Sequence, residues 1–112
     1  MRDHRQLFAS VRKRPGMYLG QETYAVAAAF VFGYDHAADG KLLAGFTEWL
    51  VVRRGKGSDL GWSALVLDAA FPEAASPQNA LLAGPEAERH AIHTLFDLLA
   101  EFDELRAKPD QD

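Results

Sequence analysis

Apolar residues recur at helical spacing along almost the whole chain, and strict period-two alternation is missing. The first amphipathic stretch starts at Asp3, a good N-cap residue, and places Leu7, Phe8 and Val11 on an inner face. Pro15 ends it, because the residue before a proline is pushed out of the α region. A second helix opens at Glu22 or Thr23 and lines up Val26, Phe30 and Tyr34 on one stripe, while Ala27-Ala28-Ala29 lets another helix come close. Asp39-Gly40 is its natural stop, glycine taking the left-handed conformation readily. Residues 41–53 predict a third helix with Leu42, Phe46, Trp49 and Leu50 at i, i+4, i+7 and i+8. Val51 and Val52 at its tail are the one place where a strand is arguable.

Arg53-Arg54-Gly55-Lys56-Gly57 breaks the chain. Ser58 then reads as the N-cap of a fourth helix carrying Trp62, Leu65, Val66 and Ala69, with Asp59 favourable near its positive end. Ser76-Pro77 starts a short helical turn through Leu82, since serine caps and proline suits the first helical position. Gly84-Pro85 opens the last and longest helix, with Glu86 and Glu88 in its first turn. Its inner face is Ile92, Leu95, Phe96, Leu99 and Phe102, widened by Leu98 and Leu105. Arg106 and Lys108 stand at its negative end, and the acidic tail 109–112 is expected to fray. The expectation is all-α: one domain over residues 1–108, a compact bundle of five or six helices.

Composition narrows the classes. A chain of 112 residues with 48% hydrophobic content is long enough for one core without staples. Zero cysteines exclude a disulfide framework, a cysteine metal site and a thiol nucleophile. No apolar h-region follows Met1-Arg2-Asp3-His4-Arg5, so no signal peptide is expected. The longest apolar run, residues 25–32, falls far short of the ~18 residues a bilayer span needs. These features read as a cytoplasmic protein that makes no use of a membrane.

The net charge of −4 is unevenly spread. Arg2, Arg5, Arg12, Lys13 and Arg14 make the beginning basic; Asp97, Glu101, Asp103 and Glu104 make the last helix acidic. Each face is a candidate steering surface, and each is also what a solvated helix displays.

Catalytic chemistry finds little support. His90 and His93 lie three apart on the last helix but have no Glu-x-x-His partner set, and a metal would need His36 or His4 from elsewhere. They read as boundary histidines, so neither metal nor cofactor is expected. Ser10, Ser58, Ser63 and Ser76 are not in a nucleophile elbow, and Glu101 with Glu104 falls on a helical surface. Arg5, Arg12, Lys13 and Arg14, joined by Arg53, Arg54 and Lys56, suit phosphate contacts with Tyr18 available to stack. Against nucleic acid stand the negative net charge and the lack of a long basic stripe. Trp49 and Trp62 read as core anchors, although a tryptophan beside a charged loop also suits an interface.

Val11-Arg12-Lys13-Arg14-Pro15-Gly16-Met17-Tyr18-Leu19-Gly20 is the segment with the most specified residue order. Over these ten residues the chain resembles the opening of the ATPase domain of gyrase B-type topoisomerase subunits in the GHKL superfamily. That family continues with a helix bearing a catalytic glutamate and a magnesium-binding asparagine. Phe30-Val31-Phe32-Gly33-Tyr34-Asp35-His36 offers neither, and Asp59-Leu60-Gly61-Trp62-Ser63 has serine where the family's Asp-x-Gly-x-Gly loop ends in glycine. The resemblance therefore implies a shared joint without the ATP chemistry. The chain is also similar, over about half its length, to small uncharacterised bacterial proteins that open with Arg-Pro-Gly-Met-Tyr-Leu-Gly. They share Gly33-Tyr34, the Phe46 and Trp49-Leu50 helix, and Ser58 with Trp62. Some of these belong to toxin–immunity neighbourhoods, which implies an immunity-type inhibitor.

Physically, Pro15-Gly16 turns the chain, Met17, Tyr18 and Leu19 drop into the core, and Gly20 releases it into the next helix. The expected function is a non-enzymatic domain that binds another protein, such as a toxin. It would do so through either the basic corner (Arg12, Lys13, Arg14, Arg53, Arg54) or the acidic helix (Asp97, Glu101, Asp103, Glu104). The alternative is a nucleic-acid or nucleotide phosphate at the Arg12-Lys13-Arg14 corner.

Overall fold

Proline, glycine and capping residues cut the chain into its elements much where helix physics demands. The computed structural model describes residues 4–55, 57 and 60–107. Among them it holds α1 (His4–Lys13), α2 (Pro15–Leu19), α3 (Tyr24–Ala37), α4 (Phe46–Arg54), α5 (Trp62–Ala70), α6 (Pro77–Ala80) with a 3-10 turn at Leu81–Ala83, and α7 (Pro85–Ala107). The protein is all-α, with more helices than the five or six expected. The additional one is α2, because the Pro15-Gly16 joint is itself a helical turn. Asp3, Lys56, Ser58, Asp59, Lys108 and the tail 109–112, to which capping, phosphate-contact and fraying roles were assigned, lie outside the described residues.

Local signals set most boundaries. The Thr23 hydroxyl accepts from Val26 N (3.3 Å) and opens α3; the Ser76 hydroxyl accepts from Asn79 N (3.3 Å) and opens α6. Pro85 begins α7, which at 23 residues is about 34 Å long. This helix is the spine, packing against α5, α1, α3 and α4. The core around it centres on the fully buried Val11, Val31, Phe46, Leu50, Leu65, Val66, Ile92 and Leu95. Phe46, Trp49 and Phe102 form an aromatic cluster with ring centroids 5.3–6.0 Å apart, extended by Trp62 at 6.2 Å from Phe46.

Several expectations are corrected. The buried line of α3 is Tyr24, Ala27 and Val31, while Val26, Phe30 and Tyr34 are half-buried. Both lines obey the same helical arithmetic; close approach at Ala27 decides between them, as the alanine run suggested. The third expected helix starts at Phe46 rather than Lys41, because Gly45 turns left-handed (φ 85°). Residues 38–45 form turns instead, held where Asp35 Oδ1 accepts from Leu43 N (2.8 Å), and Leu42 is buried within them. Val51 and Val52 are helical. The fourth expected helix starts at Trp62 behind Gly61. Leu105 is 48% exposed, since the core ends before the last turn of α7.

The largest correction concerns the joint. Met17 is 71% exposed and Tyr18 42%; only Pro15 is buried, and Leu19 packs partly against the core. A five-residue helix turns only once and half again, so it sends one short edge inward. Pro15 and Leu19 take that edge, and the side chains between them face out.

Candidate functional site

Backbone hydrogen bonds run through the joint. Arg14 N donates to Ser10 O (3.0 Å), Met17 N to Arg14 O (3.1 Å) and Gly20 N to Gly16 O (3.1 Å). Gly20 has φ 80°, a conformation that a side chain would strain, and it turns the chain towards α3. Met17 and Tyr18 are exposed on α2, and Arg14, its N-cap residue, is exposed at its start. Lys13 is exposed just before them. Among the described residues neither Lys13 nor Arg14 makes an ion pair.

The other sequence-predicted partner residues are brought together differently. Arg12 forks onto Asp97, with Nε to Oδ1 at 2.7 Å and Nη2 to Oδ2 at 3.1 Å, linking α1 to α7. Arg53 Nη1 donates to Glu101 at 2.6 Å, and its guanidinium lies 5.1 Å over the Trp49 ring. Arg54 grips Asp68 of α5 at 2.8 and 3.0 Å. The basic corner and the acidic face thus meet at two of the five corner cations, Arg12 with Asp97 and Arg53 with Glu101. Glu104 alone of that acidic set remains exposed without an ion pair among the described residues.

Asp103 corrects the reading of an acidic face most directly. It is 7% exposed. Its Oδ2 accepts from His4 Nε2 and Arg5 Nε, each at 2.7 Å, and its Oδ1 from Arg106 Nη2 at 3.0 Å. Arg106 also donates to the Lys41 carbonyl (2.8 Å), so one carboxylate ties the start of α1, the end of α7 and the 38–45 turn. Burial by itself would raise the Asp103 pKa; the hydrogen bonds from Arg5, Arg106 and His4 outweigh it and hold the carboxyl below its ordinary value. The sequence carried a signal for this. Asp103 follows Phe96 by seven and Leu99 by four, inside the apolar stripe.

The remaining candidates are structural. His90 Nε2 donates to the Ala70 carbonyl (2.8 Å), and its ring meets Phe71 edge-on at 5.5 Å, docking α7 on α5. His93 is half-buried. No three His, Asp or Glu side chains among the described residues are grouped to hold a metal. No helix among them is long and apolar enough to cross a membrane. Comparison of the chain with protein-family models, with curated proteins and with solved structures finds no match.

Proposed function

We propose that this chain is a protein-binding domain without catalysis of its own, an immunity-type inhibitor that docks through the α2 corner. The observation that carries the reading is the outward Met17 and Tyr18 on a Pro15–Gly20 joint, beside Lys13 and Arg14, which make no ion pair among the described residues. Methionine, tyrosine and arginine are the residue types enriched at protein interfaces, where a rigid anchor loses little entropy on docking. The partner that fits is a protein with an apolar recess edged by carboxylates. Arg12, Arg53 and Arg54 contribute less, because docking would have to compete with Asp97, Glu101 and Asp68.

The test is co-expression with the product of the adjacent reading frame. Protection of the cells, lost in the Tyr18→Ala/Arg14→Ala variant but kept in Arg53→Ala, is the expected result. Absence of protection and of a stable complex with that product would overturn it. The same corner also suits a phosphate, with Lys13 and Arg14 as counter-charges and the Tyr18 ring to stack. Saturable, salt-sensitive binding of a labelled oligonucleotide, lost in the same variant, would favour that second reading.

A further inference from the structure

A cleft of about 370 Å³ lies between α1 and the C-terminal half of α7. Its walls are apolar, with Phe8, Leu42, Phe96, Leu99 and Phe102 at the bottom. It exists because small residues stand where two helices would otherwise close over the core. Ala9 on α1 and Ala100 on α7 both line it, and both are solvent-exposed. Each lies between charged neighbours on its own helix: Arg5 and Arg12 flank Ala9, and Asp97 and Asp103 flank Ala100. The charges meet across the cleft, Arg12 with Asp97 at one end and Arg5 with Asp103 at the other. Six residues of α7 separate these two gates, a span of about 9 Å.

We infer that this slot binds a neutral, mainly apolar small molecule. The size suits one: ligand pockets run from roughly 300 to 1,000 Å³ and are lined mostly by hydrophobic and aromatic side chains. The rim decides the charge. Three guanidiniums (Arg5, Arg12, Arg106) face three carboxylates (Asp97, Asp103, Glu104), with the His4 ring beside Asp103. Among the described residues that line the cleft the charges balance, so an ionic ligand would have to break a pair to be answered. A neutral body fits against the apolar walls, covers Ala9 and Ala100, and leaves both gates intact. The half-exposed Arg12–Asp97 gate is the side of entry, since such a pair opens at little cost, whereas the Asp103 gate is tied to three partners.

The probe is N-phenyl-1-naphthylamine, a neutral aromatic dye that brightens out of water, titrated into the intact protein. Saturable binding to one site is expected, tighter than that of its anionic relative 8-anilinonaphthalene-1-sulfonate. Ala100→Leu and Ala9→Leu each fill the slot and should weaken binding by about tenfold or more, while Tyr18→Ser leaves it unchanged. Leucine is a good helix former and both alanines face solvent, so helical circular dichroism should be retained. Dye-induced amide shifts in the unaltered protein, confined to α1 and the second half of α7, locate the site without any variant. Lack of saturation, binding indifferent to both leucines, or shifts centred elsewhere would overturn the slot. Tighter binding of the sulfonate there would overturn its neutrality.

Discussion

Tyr18 and Tyr24 are six residues apart and have opposite fates. Tyr18 sits on α2 with its ring partly in solvent; Tyr24, the first residue of α3, is 4% exposed. The Tyr24 amide donates to Glu88 Oε1 and its hydroxyl to the Ser63 carbonyl, each at 2.7 Å, so it joins α3 to both α7 and α5. Burial pushes its phenol pKa well up, as expected when the charged form would lose water. The difference is one of repetition. Tyr24 begins a stripe continued by Ala27 and Val31 over about two turns, whereas Met17-Tyr18-Leu19 has no second turn to continue it. Apolar character alone does not bury a residue; a face long enough to share with a neighbour does.

The largest effect that tests this contrast is at Tyr24. Tyr24→Ala should destabilise by about 3–5 kcal/mol, as truncation of buried aromatics does, measured by urea unfolding. Tyr24→Phe keeps the ring and removes the donor to Ser63 O, leaving a smaller loss of about 1–1.5 kcal/mol. A loss below about 1 kcal/mol for the alanine variant would mean that α3 holds its place without this side chain.

Asp103 comes next, because it does for α1 what Tyr24 does for α3. Asp103→Asn should cost about 1–2 kcal/mol at neutral pH; the partners are partly exposed, which holds the figure below that of a wholly buried pair. The sign with pH follows from the lowered folded-state pKa. The carboxylate's contribution is present above its unfolded value of about 4 and is lost as pH falls through the folded value. Urea midpoints of the two proteins should therefore converge in acid. A gap that persists unchanged to about pH 2 would show that shape at this position, not charge, holds the helices.

How far all this was legible in the sequence depends on the range of the cause. The caps at Thr23 and Ser76, the Pro85 start and the apolar stripe of α7 are decided within a turn or two, and the residue order shows them. Gly45 was equally local but weak as a signal, because a lone glycine inside a periodic pattern does not announce a positive φ. The pairing of Arg12 with Asp97 joins residues 85 apart, and no local pattern selects that carboxylate over its neighbours. The same holds for the cleft: Ala9 and Ala100 look like ordinary helix alanines until α1 is laid beside α7. Asp103 lies between these cases, since its place in the apolar stripe was visible but its three partners were not.

The smallest stability effect belongs to Tyr18, and it sharpens the comparison most. Tyr18→Ala should change the unfolding free energy by no more than about 0.5 kcal/mol, as surface substitutions away from caps and ion pairs do. Had the ring plugged the core, the same change would cost several times more. The docking role assigned to α2 requires the two readouts to separate: stability held, partner binding lost. Tyr24→Ala supplies the opposite pattern, since it unsettles the fold while leaving the α2 surface chemically intact. Measured side by side, the pair distinguishes a residue that acts by being seen from one that acts by being covered. A Tyr18→Ala protein that melts early would return the joint to the core, and with it the claim that this chain presents an anchor at all.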